Sequence, residues 1–465
     1  MFRRNKNRFR LPRHRSLFGR QKKQNAIIFK GNTLRRSSII QNRTAPSTSE
    51  PVKHVVIRQK LSRPRSPHRL TLLLSNALLA FSIAIFWPAA MSTVNYSRNQ
   101  IWGIDQQKLK QVLAGHLEQD QMPTELLISG SGQKRNGQIH YTLDEKLQNA
   151  ATAGLQKYRP DYGMIVAMDA VSGEILAMTD FQRDGNNTHN LNLKATYPAA
   201  SVFKTITAAA AIDLGKATAT TVFPYNGKST TLYKKNVLSH KNNKWTNHQS
   251  LTRSFSKSVN TVFARLGIYT VGGKQLLNYA NRFAFNQPLN TDLPIEPSTI
   301  EMDINEDWSI AEVASGYTRN TNISPVHGAM LAATIVNNGK MPMPRVIDAV
   351  TDDHGIILYE ADPPLSEQVI SAETASEMRE LMHETIVSGS ARKAFRKFKH
   401  KSVKAGGKTG SLTGFHPKGK YDWFVGYATD GDRKLAYAVL CINKEFWYVK
   451  SSQLARDMID DYFSG

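Results

Sequence analysis

The feature that most restricts what this chain can become is a run of 22 residues, 70–91, without one charged side chain. It reads LTLLLSNALLAFSIAIFWPAAM. A helix of that length rises about 30 Å, the thickness of a bilayer's hydrocarbon core. Trp87 and Pro88 stand near its far end, where interfacial aromatics are common. The run is long for the apolar part of a cleaved signal, and the segment before it is very long for a signal's basic region. The expectation is therefore an uncleaved transmembrane helix over residues 70–91. A buried core helix is the competing reading, and Arg63, Arg65 and Arg69 just before the run argue against it.

Charge sets the orientation. The chain has 465 residues and a net charge of +24. Residues 1–69 hold 20 Lys/Arg and one acid, Glu50, so about +19 belongs to this tail and about +5 to the rest. A tail with no sustained apolar period cannot offset its ordering entropy, and we read 1–69 as a disordered, basic cytoplasmic segment. It could meet nucleic acid or an anionic lipid surface, or serve only as a solvated topogenic segment. The folded part is nearly balanced, so no nucleic-acid partner is expected for it. A single cysteine, Cys441, excludes an intrachain disulfide framework and a cysteine-built zinc site.

Beyond the apolar run, residues 92–140 are expected to be a short juxtamembrane region, with one helix (DQQKLKQVLAGHLEQ) and a Gly/Ser/Asn-rich linker (SGSGQKRNGQ). Residues 141–465 read as globular. MIVAMDA and EILAMTD around Val171-Ser172-Gly173 form one predicted hairpin. DWFVGYAT and KLAYAVLCI around Asp430-Gly431-Asp432 form another, and LARDMIDDYF closes the chain as a helix. Between the hairpins the pattern is mostly helical. Strands at both ends and helices between them predict an α/β (α+β) architecture: an antiparallel sheet flanked by helices, with an inserted helical subdomain.

Three short motifs carry the chemistry. Ser201-Val202-Phe203-Lys204 opens an alanine-rich helix, which puts Lys204 one turn beyond Ser201 on the same face. A serine needs a neighbour to take its proton, and a lysine can do so when burial or a second cation keeps it neutral. Taken alone, the motif also fits an N-cap serine and a surface lysine. Ser258-Val259-Asn260 follows at a helix–loop boundary and, alone, fits ordinary capping. Lys408-Thr409-Gly410-Ser411 offers a carboxylate-binding pair beside a glycine that lets a substrate backbone approach. A phosphate loop is excluded, because position 402, where that pattern needs glycine, is Ser402.

Together, in this order, the three motifs resemble the S-x-x-K, S-x-N and K-T-G set of penicillin-binding proteins and serine β-lactamases. The contexts YPAASVFK, AMDAVSGEILAM, DWFVGY and FAFNQPLNTDLP resemble transpeptidase domains, over roughly residues 140–465. The resemblance implies a peptidoglycan D,D-transpeptidase that is acylated by β-lactams. It implies that Ser201 is the nucleophile and Lys204 its base. Ser258 would pass a proton to the leaving D-alanine, and Asn260 would bind the donor amide. Lys408 and Thr409 would hold the terminal carboxylate, with Thr413 adding a contact. The backbone N–H groups of Ser201 and Ser411 would form the oxyanion hole, beside Gly410. The same site with water as acceptor would be a carboxypeptidase, endopeptidase or β-lactamase. Acylation coupled to the basic tail would be a β-lactam-binding sensor or scaffold.

In a bacterium the catalytic domain would face the periplasm or wall, on a single-pass protein of the cytoplasmic (inner) membrane. About 50 residues separate the apolar run from the transpeptidase-like part, too few for a pedestal or a glycosyltransferase. A membrane glycan polymerase is therefore the expected partner, with peptidoglycan stem peptides as substrate. The glycine-rich segment after the second motif in relatives corresponds here to Ala314-Ser315-Gly316-Tyr317, an imperfect match. No histidine motif suggests a metal, and no cofactor is expected. His248 and His327 read as structural, and Cys441 as a buried strand residue. Glu296 or Glu301 could act as a hydrolytic base, although nothing around them resembles a β-lactamase deacylation loop.

Overall fold

The computed structural model describes residues 93–94, 101–117, 122–130, 132–185, 190–239, 241–362 and 365–464. The expected basic tail and transmembrane helix lie outside these. Among the described residues no helix is long and apolar enough to cross a membrane.

The centre is a five-stranded antiparallel sheet made of β1 (Tyr162–Asp169), β2 (Ile175–Gln182), β3 (Lys404–Phe415), β4 (Lys418–Asp430) and β5 (Arg433–Asn443). Its spatial order is β3-β4-β5-β1-β2. Strand β5 pairs with β1, Leu435 opposite Asp169 through Ile442 opposite Tyr162, so the two predicted hairpins are zipped edge to edge. Around the sheet and in the inserted lobe stand helices α1 (Glu145–Tyr158), α2 (Lys204–Asp213), α3 (Asp307–Ser315), α4 (Pro325–Val336), α5 (Ala372–Val387) and α6 (Ser451–Phe463).

The inner strands β1, β4 and β5 are largely apolar on both faces because both faces are covered. Along β1, Ile165 and Ala167 join a core with Leu147, Leu155, Leu454 and Ile459 of α1 and α6. Met164, Val166 and Met168 alternate to the other side and join the main core with Val326, Met330 and Met378 of α4 and α5. Helix α4 is buried along its whole length, from Pro325 to Val336. Glycine 328 lets it press onto the sheet, since a Cβ there would stand 3.0 Å from Ala438 Cβ.

The segment expected as a linker is instead a β-hairpin. Glu125–Gly130 pairs with Gln133–Tyr141, which pairs with Ile347–Asp352 and so joins a four-stranded sheet. Its glycines and polar residues mislead because only one face is apolar. Ile128 and Ile139 are buried, and a Cβ on Gly137 would collide with Ile128 and Val350 at 2.6 and 2.7 Å. Arg135 is tied across the sheet to Asp352 and lies 4.7 Å over the Trp102 ring. The preceding helix forms as expected, over Gln106–Leu117.

Candidate active site

The Ser201 segment is fixed by a short extended piece that precedes it. Tyr197–Pro198 pairs with Thr321–Ile323, and Trp423 of β4 donates its indole N–H to the Pro198 carbonyl at 2.9 Å. The chain then turns through Ala200, whose φ is +48°, into a 3-10 turn over Ala200–Phe203 that runs on as α2. An alanine in the left-handed region is strained, and such strain persists where surrounding contacts fix it. The result lifts Ser201, half-buried, off the start of a buried helix with Lys204 beneath it.

Lys204 Nζ lies 2.7 Å from Ser201 Oγ and 2.8 Å from Asn260 Oδ1, and it also donates to the Ser315 carbonyl. Burial, with the Lys408 charge nearby, holds its amine well below the usual lysine range. All three of its polar neighbours are neutral, so no carboxylate opposes that shift. A neutral amine in contact with a serine hydroxyl can accept its proton.

The second motif falls at a break between two helices, near the helix–loop boundary expected for it. Leu251–Ser256 and Asn260–Arg265 are separate helices, and Ser258 between them has φ +56°. Asn260 is buried; its side-chain amide donates to Thr230 O at 3.0 Å and its backbone N–H to Ser229 O at 2.8 Å. Lys408 Nζ donates to Ser258 Oγ at 3.0 Å and to Thr409 O at 2.8 Å. Burial brings the Lys408 amine down to about 7. Ser201, Lys204 and Asn260 thus form one hydrogen-bonded group, and Ser258 with Lys408 forms a second beside it.

The third motif lies on β3, an edge strand rather than a phosphate-binding loop. Thr409, Ser411 and Thr413 alternate onto its more exposed face. A Cβ on Gly410 would meet Val202 Cγ2 at 3.1 Å and Ala199 O at 3.3 Å, so the glycine lets β3 lie against the turn that carries Ser201. Ser411 Oγ bonds Asp422 at 3.3 Å, and the Thr413 carbonyl accepts from Arg319 Nε at 2.9 Å.

Three contributions escape a motif search. Helix α3 ends at Gly316, in the left-handed region at φ +64°, and that cap presents the Ser315 carbonyl to Lys204. A Cβ on Gly316 would stand 1.9 Å from Ala200 O. The imperfectly matching Ala314-Ser315-Gly316-Tyr317 segment is therefore the back wall of the site. The carbonyls of Ser229 and Thr230 hold Asn260. Ser390 Oγ lies 2.6 Å from Thr409 Oγ1. A carbonyl acts whatever side chain it carries, so Ser315, Ser229 and Thr230 have no sequence signal.

The other candidates lie apart from this group. His327 is buried and bonded on both ring nitrogens, to Ser298 and to the Phe283 carbonyl at 2.6 Å each. Glu296 caps the backbone N–H of Ala195 and pairs with Lys194. Cys441 is buried in β5.

A family model described as the penicillin binding protein transpeptidase domain matches residues 163–460. Stage V sporulation protein D of Bacillus subtilis is 27% identical over 333 residues, 65% of this chain and 49% of that protein. Peptidoglycan D,D-transpeptidase PbpA of Mycobacterium tuberculosis is 26% identical over 344 residues, 66% of this chain and 68% of that protein. The chain thus matches about half the length of the first relative and two thirds of the second. The structure of penicillin-binding protein A from M. tuberculosis as an imipenem acyl-enzyme complex superposes with a TM-score of 0.57 at 25% identity, covering 70% of this chain and 80% of that one. Matched along most of its described length, with the three motifs gathered around one serine, this chain belongs to the penicillin-binding protein transpeptidase domain family.

Proposed function

We propose that the protein is a peptidoglycan D,D-transpeptidase that works through a serine acyl-enzyme on D-Ala-D-Ala stem peptides. The observation that carries this is the 2.7 Å contact between Ser201 Oγ and a fully buried Lys204 amine held below its ordinary pKa. Ser201 Oγ attacks the penultimate D-alanine carbonyl and its proton passes to Lys204. The backbone N–H groups of Ser201 and Ser411 take the oxyanion, an interaction worth about 3 kcal/mol in acyl transfer. Asn260 holds the donor amide. Protonated Lys408 and the Thr409 hydroxyl bind the donor's terminal carboxylate, with Thr413 at the outer end of the same strand face. Ser258 relays a proton to the departing D-alanine amine. The amine of a neighbouring stem then attacks the ester and frees Ser201.

In this reading residues 1–69 stay in the cytoplasm and 70–91 cross the inner membrane. The catalytic domain acts on the periplasmic or wall side, alongside a membrane glycan polymerase. A fluorescent penicillin tests the reading. Detergent-solubilised wild type should take a label that persists for many minutes, and Ser201→Ala should take none. A label that decays within seconds would make the protein a hydrolase. The charge of the tail favours one second reading, a sensor, so the same assay is run with residues 2–60 deleted. Label that survives together with rescue of a wall defect supports the cross-linking enzyme; label without rescue supports the sensor.

A further inference from the structure

The 78 residues from 214 to 291 contain eleven Lys/Arg and not one Asp or Glu. The tail accounts for about +19 of the chain's +24, so this stretch at +11 leaves about −6 for everything else beyond the tail. The positive charge of the folded part is therefore concentrated in the inserted lobe. Two of its arginines are neutralised by neighbouring elements, Arg253 by Glu384 and Arg282 by Asp213. Lys228, Lys235, Lys241 and Lys244 are exposed and, among the described residues, make no ion pair.

These four lysines sit on one segment, residues 226–239 and 241–246. It is built rather than loose. Leu232 and Val237 pack against Ala264 and Ala311, Thr246 Oγ1 donates to Asn226 Oδ1 at 2.9 Å, and Asn226 donates to the Lys241 carbonyl at 3.3 Å. The same segment carries two unusually exposed aromatics, Trp245 at 76% and Tyr233 at 54%. Lys244 Nζ lies 5.2 Å from the Trp245 ring centroid. It is also part of the catalytic cleft, because its Ser229 and Thr230 carbonyls hold Asn260.

We propose that this segment is a docking surface for the carboxylate-bearing peptidoglycan strand that enters the cleft, with lysines pairing to stem-peptide carboxylates and Trp245 stacking on a sugar or peptide face. The inference rests on the transpeptidase reading and deepens it. Unpaired cations on an ordered wall next to the nucleophile attract an anionic polymer and raise its local concentration. Trp beside Lys also suits a lipid interface. Eleven cations without one acid over residues 214–291 match a carboxylate-bearing polymer, and the carbonyls of Ser229 and Thr230 tie the same segment to Asn260, so the strand is the occupant that charge and placement favour.

The test couples full-length, detergent-solubilised protein to soluble, uncross-linked strands with a carbodiimide, followed by peptide mapping. Strand adducts on Lys235, Lys241 and Lys244, suppressed by high salt, are expected. In parallel, Lys235→Gln/Lys241→Gln/Lys244→Gln should raise the KM for strands about ten-fold and leave the rate of penicillin acylation unchanged. Adducts confined to residues 1–69 would overturn the proposal, as would an unchanged KM. Protection of these lysines by phosphatidylglycerol vesicles, with no strand adducts, would replace the strand by a membrane. The mapping uses wild type and stands whether or not the variant folds. Absence of penicillin label on the wild type would remove the transpeptidase reading and leave the strand adducts standing.

Discussion

At the residue scale, the Thr409 end of the site depends on a residue that no motif contains. Thr409 is held from outside by Ser390, whose hydroxyl lies 2.6 Å away. Ser390 is itself placed by its backbone N–H, which donates to Ser256 O at 2.9 Å, and by Gly389, where a Cβ would stand 2.5 Å from that same carbonyl. We assign Ser390 as a positioning residue that sets the Thr409 rotamer. A neutral hydrogen bond of this kind is worth about 1 kcal/mol. Ser390→Ala should raise the KM for a donor with a free carboxylate about five-fold with kcat unchanged, and Ser390→Thr should restore it. Equal losses in kcat and kcat/KM, with no rescue by threonine, would show a merely structural role.

At the scale of elements, the site is a meeting of ends: the start of α2, the end of α3, the break before Asn260–Arg265 and the edge strand β3. The α3 cap is the joint between them. It aims the Ser315 carbonyl at Lys204 while Gly316 lies against the Ala200 carbonyl. Alanine at 316 would need a left-handed backbone, at roughly 1 kcal/mol, and would also drive a methyl into that carbonyl. Gly316→Ala should therefore slow penicillin acylation by about 100-fold, or ~3 kcal/mol, by misplacing Ser201. Gly431→Ala, at the β4–β5 turn with φ +59° and open space around it, is the control and should leave acylation unchanged. An equal effect from both would mean that only backbone strain matters. The contrast also explains what the sequence could reveal. Ser201, Lys204, Ser258, Asn260 and Lys408 stand out in the sequence because their side chains make the contacts that gather the site. Ser315, Ser229 and Thr230 were not, because backbone carbonyls do theirs. The Gln133–Tyr141 strand was misread because half of it faces water and its glycine serves packing rather than a turn.

At the scale of the whole molecule, the central sheet was legible because β1, β4 and β5 are apolar runs beside glycine-containing turns, and burial on both faces demands such runs. What ordinary sequence patterns conceal is that two lysines belong to the core. Lys204 and Lys408 are both fully buried, and neither has a carboxylate partner among the described residues. That placement weakens the fold in order to tune the site, and it ties stability to pH. Lys408 titrates near 7 when folded and near 10.5 when unfolded. Below pH 7 both states hold the proton and the folded state bears the whole penalty of a buried charge, on the order of a few kcal/mol. Between 7 and 10.5 only the unfolded chain holds it, so the penalty shrinks as pH rises, and above 10.5 it is gone. Lys408→Met removes the charge and keeps most of the volume. Its melting temperature should exceed that of the wild type by roughly 5 °C at pH 6, and the gap should narrow steadily toward pH 10. The variant should also lose penicillin acylation, since the cation proposed to bind the carboxylate is gone. A gap that does not change with pH would mean that Lys408 is no burden to the fold, and that its amine is not the neutral-range group on which donor binding depends.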